Sequence, residues 1–113
     1  MKRITVLCVA LAGGYAMSSS ACDIPTMIDI PDGATATKET LLTAQTDVKS
    51  YLAAMEEYLA CLNDEIDTAG DGAAEEFKAL MVTRYNNGVT EMETVANEFN
   101  EQIKAFKAAN PSN

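Results

Sequence analysis

The chain has 113 residues, enough for one small domain, and carries 8 Lys and Arg against 17 Asp and Glu with no His, a formal net charge of −9. Phosphate backbones and anionic lipid are bound by clustered Lys and Arg, so this balance argues against nucleic acid and against electrostatic docking on a membrane. Without His there is no His-based triad and no His-ligated zinc, and no other nucleophile–base pair or metal-ligand spacing stands in the sequence. The expectation is a non-enzymatic protein with no catalytic residue, no cofactor and no resident metal.

Residues 1–21 have the layout of a secretory signal peptide. Lys2 and Arg3 are a short basic start, Ile4 to Ala12 is an apolar run, and Ser18-Ser19-Ser20-Ala21 is a small-residue stretch. The apolar run has about half the roughly 20 residues a membrane-spanning helix needs. The best cleavage point lies between Ala21 and Cys22, with Ser19 at the third position before the cut. Loss of Lys2 and Arg3 would take the formal charge from −9 to −11. The expected location is the periplasm or the medium.

Of the three cysteines, Cys8 would leave with the signal peptide. Cys22 and Cys61 then form an even pair in an oxidising compartment, which reads as a disulfide. The competing reading is a lipid-modified Cys22, as in bacterial lipoproteins. Ser20 and Ala21 suit it, whereas Ser19 departs from the usual Leu and Cys61 is left without a partner.

Residues 22–36 contain Pro25, Pro31 and Asp32-Gly33 and read as an extended arm. Ile24, Met27, Ile28 and Ile30 give the arm something to bury; a disordered linker is the alternative. Helix 1 is expected from about Thr37 to Ala69, with Thr35 or Thr37 as the cap and Glu39 in the positive first turn. Leu41, Val48, Met55 and Leu62 recur every seventh residue, flanked by Leu52, Leu59, Ile66, Tyr51 and Tyr58. Gly70 can supply a positive-φ residue at the end, and Asp71 can cap the next helix.

Helix 2 is expected from about Gly72 to Ala109, with Glu75 and Glu76 near its start. Tyr85, Met92, Phe99 and Phe106 recur at seven, widened by Met81, Val89, Val95, Ala96 and Ile103. Asn86-Asn87-Gly88 is either a break or a place where a missing side chain lets another helix approach; the register kept across it favours continuity. Asn110-Pro111 ends the helix, leaving residues 110–113 as a tail.

The fold class is therefore all-α: a long antiparallel, coiled-coil-like hairpin over 37–109 with an N-terminal arm. Two helices bury one seam and leave a thin core, which the arm, a disulfide or pairing of two hairpins into a four-helix bundle can reinforce. Cys61 lies 24 residues beyond Thr37, about 36 Å along helix 1. The 15 steps from Cys22 to Thr37 span at most about 50 Å, so the arm can fold back to Cys61.

Other patterns carry less. Asp67 to Gly72 suggests a calcium loop, but Ala69 stands at the third position and Lys78 at the twelfth, where a bidentate Glu is needed. Glu56-Glu57, Asp64-Glu65 and Glu75-Glu76 read as solvated faces, or as a surface for a basic partner or divalent cations. Tyr51, Tyr58, Tyr85, Phe99 and Phe106 read as packing residues. Arg84 is expected to pair with Glu91 or Glu76.

The stretches Cys22, Pro31-Asp32-Gly33-Ala34, Val48-Lys49-Ser50-Tyr51, Tyr58-Leu59-Ala60-Cys61-Leu62 and Phe99-Asn100-Glu101-Gln102 resemble those of a group of small, uncharacterised secreted helical proteins of Gram-negative bacteria. The resemblance implies a helical, periplasmic protein and brings no reaction with it. The functional expectation is protein–protein contact by a stapled hairpin, with an envelope lipoprotein or a small periplasmic chaperone or inhibitor as alternatives.

Overall fold

The structure is a computed structural model that describes residues 22–111. The expected signal peptide, with Cys8 and Ala21, and the last two residues of the tail lie outside the described residues.

Two helices pack against each other as a hairpin: α1 (Lys38–Ala69, 32 residues) and α2 (Glu75–Ala109, 35 residues). At 1.5 Å per residue they are about 48 and 53 Å long. Among the described residues there is no strand, and no helix is long and apolar enough to cross a membrane.

Local chemistry explains the ends of α1. Thr37, with φ −85° and ψ 162°, is the N-cap, and its hydroxyl oxygen accepts the Thr40 N–H at 3.1 Å. That satisfies one of the amides a helix start leaves unpaired, and Glu39 sits in the positive first turn. Gly70 ends the helix at φ 71° and ψ −175°, a conformation open essentially to glycine, and its N–H donates to the Ile66 carbonyl at 3.2 Å.

The start of α2 differs from expectation. Asp71 does not cap it and Gly72 is not in it; residues 71–74 form the turn, and Ala74 is an N-cap without a side-chain hydrogen bond. Gly70 throws the chain outward, and the Ala73 N–H closes the turn on the Gly70 carbonyl at 3.2 Å. Gly72 offers no helix propensity with which to begin sooner. The Asp71 backbone carbonyl accepts from Lys78 Nζ at 3.1 Å, tying the turn to the first full turn of α2. At the far end the Asn110 N–H donates to the Phe106 carbonyl at 2.9 Å, and Pro111 follows.

The seam follows the seven-residue row. Leu41, Val48, Met55 and Leu62 are all buried, joined by Ala44, Tyr51, Tyr58 and Leu59. The seam of α2 is narrower: Met81, Gly88, Val95 and Phe99 are buried, while Tyr85, Met92 and Phe106 are half-buried. The asymmetry has a cause. α1 is covered by α2 on one side and by the arm on another, so more of its circumference leaves water.

α2 runs unbroken through Asn86-Asn87-Gly88. A Cβ at position 88 would stand 2.8 Å from Leu59 Cδ2, 3.5 Å from Met55 Sδ and 3.6 Å from Tyr58 Cε1. The missing side chain therefore makes room for three side chains of α1, and the helix tolerates glycine because its backbone is packed against them.

Candidate functional site

The structure's distinctive feature is the arm and its attachment. Residues 22–31 have no regular secondary structure and run antiparallel to α1. Cys22 to Thr26 lie beside Ala54, Glu57, Tyr58 and Cys61, and Asp29 to Pro31 lie beside Thr40, Thr43, Ala44 and Asp47. Ile28 and Ile30 are half-buried and pack on the core cluster. The expectation that every apolar arm residue would be pinned on the helices is corrected at two positions: Ile24 is 51% and Met27 60% exposed. The half-buried positions Cys22, Pro25, Ile28 and Pro31 recur every third residue, the period of a polyproline-II-like extended chain, which turns Ile24 and Met27 away from the helix surface.

The arm is held at both ends. At its start, Cys22 and Cys61 are at disulfide-bonding distance, with Cα atoms 5.7 Å apart across a sequence separation of 39. At its end, Asp32 organises a tight turn. Its side chain accepts the Ala34 N–H at 3.0 Å, and its carbonyl accepts the Thr35 and Ala36 N–H groups at 3.2 and 2.9 Å. The turn presents the Gly33 N–H to the Gln102 side-chain oxygen of α2, 2.8 Å away. Gly33 is buried, and a Cβ there would run into the Gln102 backbone carbonyl. Close approach to a helix backbone, and not a special φ, is what requires glycine here.

Midway, the Tyr51 hydroxyl reaches from the seam to the arm and to α2. It lies 3.5 Å from Met27 Sδ and donates to Glu91 Oε2 at 3.4 Å. Burial of the phenol, the Glu91 charge and the hydrogen bond to Glu91 together raise the Tyr51 pKa above the ordinary phenol value. Glu91 therefore faces Tyr51, and the expected Arg84–Glu91 or Arg84–Glu76 pair does not form. Among the described residues the ion pairs are Lys78–Glu75 at 3.5 Å and Lys104–Glu101 at 3.0 Å, both between exposed groups. Such pairs contribute about 0–1 kcal/mol.

The remaining candidates fall where packing and solvation put them. Tyr51, Tyr58 and Phe99 are buried in the core, and Tyr85 packs against it. Glu56, Glu57, Asp64, Glu75 and Glu76 are exposed, as are Asp67 and Asp71 of the turn. Glu65 is the exception. It is half-buried beside the two cysteines, and one donor atom from each of Cys22, Cys61 and Glu65 lies within 4.8 Å of the others.

Sequence reasoning put Glu65 on a solvated face, where the structure half-buries it, and gave Gln102 no contact of its own. Both left a signal. The seven-residue row Met81, Gly88, Val95 continues to Gln102, a polar residue at a seam position. Glu65 stands four residues after Cys61 and so shares its helix face. Comparisons with protein-family models, with curated proteins and with solved structures found no match.

Proposed function

We propose that the protein is exported to the periplasm, where it works as a non-enzymatic, disulfide-stapled helical hairpin through contact with another protein. The observation that carries this reading is the pairing of Cys22 with Cys61 at the start of an arm laid across the hairpin. A cysteine pair closing a long loop on a thin-cored domain suits an oxidising compartment, where the bridge persists. The basic, apolar and small-residue segments of 1–21 point to the same compartment. An acidic surface keeps such a domain soluble and selects against acidic partners.

The staple and the lipoprotein readings compete for one sulfur. A thiol of Cys22 committed to Cys61 is not available for acylation, so the pairing favours the staple. A second copy is the alternative cover for the hairpin's open side. The arm already occupies part of that side, which favours a monomer over a four-helix bundle, and light scattering at high concentration reads the difference.

The test is the intact mass of the protein made in a Gram-negative host, before and after reduction. A chain starting at Cys22 and short by the two hydrogens of one bridge supports the proposal. Acyl chains on Cys22 would replace it with a membrane-tethered adaptor, and an uncleaved chain recovered with the cytoplasm would remove the export reading altogether.

A further inference from the structure

The disulfide-distance pair has a third neighbour. Cys22, Cys61 and Glu65 each bring one donor atom within 4.8 Å of the other two, and all three residues are half-buried. Glu65 follows Cys61 by four residues on α1, so the helix fixes the two on one face. The arm delivers Cys22 to that face. Among the described residues no Lys or Arg pairs with Glu65, so its charge is left uncompensated beside the sulfurs. Two thiolates and a carboxylate are a donor set for a borderline-soft divalent cation of the zinc class. Tetrahedral ligands at zinc-like bond lengths stand about 3.3–3.8 Å apart. The donors already lie within 4.8 Å of one another, close to that spacing.

We infer that the reduced protein holds a zinc-class divalent cation on Cys22, Cys61 and Glu65, with the fourth position open to water, so that a metal staple takes the place of the disulfide. The exchange balances. A dithiol reductant gives two electrons and two protons to the Cys22–Cys61 bond and leaves as its own cyclic disulfide. The two thiols then release one proton each as the cation binds. The oxidised and metal-bound forms exclude each other, because both use the same sulfurs. Two features keep the arm near its place between the two forms: the Gly33 to Gln102 hydrogen bond, and the packing of Ile28 and Ile30.

Cobalt(II) is the probe, since its thiolate complexes absorb in the near ultraviolet. The full chain carrying Cys8→Ser, so that only Cys22 and Cys61 remain, is titrated with cobalt(II) after reduction with a phosphine, and zinc(II) is then added to displace it. The expected result is a thiolate-to-cobalt band saturating at one ion per chain and lost on adding zinc. It should be absent from the oxidised protein, abolished by Cys61→Ser and by Cys22→Ser, and shifted at least tenfold to higher cobalt by Glu65→Gln. Far-ultraviolet circular dichroism on the same samples reports whether the helices persist. If reduction alone melts them, their recovery on adding zinc supports the site equally. The inference is overturned by any of four results: no band, a band indifferent to Glu65→Gln, saturation at one ion per two chains, or helices lost on reduction that zinc does not restore.

Discussion

Replacing Gly33 by alanine puts a methyl group into the backbone of another helix. The added Cβ would stand 2.6 Å from the Gln102 carbonyl carbon and closer still to its oxygen. Carbon atoms in contact sit roughly 3.5 Å apart, so the turn must retreat by at least about 1 Å. The Gln102 carbonyl belongs to a helical ladder and cannot swing aside. Retreat stretches the 2.8 Å hydrogen bond from the Gly33 N–H beyond useful length. The lost bond costs about 1 kcal/mol and the overpacking about 1–3 kcal/mol. The turn either stays in place under strain or undocks and loses its packing together with the bond, so a net loss of about 2 kcal/mol is expected. For a domain of this size that lowers the Tm by roughly 8–16 °C. Gln102→Ala removes the acceptor without a clash and should lower it by about 4–8 °C. Because the collision is with backbone, Gly33→Ala should still destabilise a protein that already carries Gln102→Ala. Thermal unfolding followed by circular dichroism measures all three variants. A Gly33→Ala protein that melts with the wild type, or whose effect vanishes in the Gln102→Ala background, would refute the docked turn.

Two other perturbations follow from the seam. Gly88→Ala gains about 1 kcal/mol of helix propensity and needs only the tip of Leu59 to move, so the two effects nearly cancel, whereas Gly88→Val must also displace Met55 and Tyr58 and should cost about 2 kcal/mol in urea unfolding; tolerance of valine would contradict the close approach. For Tyr51, the folded protein raises the phenol's pKa, so the stability tied to its proton is present below the ordinary phenol value of about 10 and lost as pH rises through the raised value. Wild type should lose stability in that alkaline window relative to Tyr51→Phe, and ultraviolet titration should find one late-ionising tyrosine that the variant lacks; parallel pH profiles would contradict the Tyr51–Glu91 contact.

What could be read from the chain alone was local. The Thr37 cap, the Leu41–Val48–Met55–Leu62 row and the Gly70 terminator each act within one or two helical turns, and each has the expected role. Cysteine parity, on the expectation of export, favoured the Cys22–Cys61 pair over a lipid-modified Cys22, and the structure brings the two cysteines to disulfide-bonding distance. The start of α2 was misplaced because both Asp71 and Ala74 can precede a helix, and the choice depends on how far Gly70 turns the chain. The Gly33–Gln102 bond joins residues 69 apart, and no pattern within either helix specifies that partner. Arg84 looked destined for Glu91 by spacing, but spacing on one helix says nothing of Tyr51 arriving from the other. The burial of Ile28 and Ile30 beside the exposure of Ile24 and Met27 likewise depends on which side of the arm meets α1.

The central claim is that the arm is a structural layer of the hairpin, held by the cysteine pair at one end and by Gln102 at the other. Amide hydrogen exchange across residues 22–36, paired with thermal unfolding in oxidised and reduced protein and in Cys61→Ser, all in metal-free buffer, tests it most directly. Closing a loop of separation 39 is worth roughly 3–4 kcal/mol in the chain-entropy model. Reduction or substitution should therefore lower the Tm by more than about 12 °C and speed exchange at Gly33, whose N–H is held by Gln102. Equal melting temperatures and equally fast Gly33 exchange in all three samples would mean that the arm contributes nothing, and the account of this fold would fail.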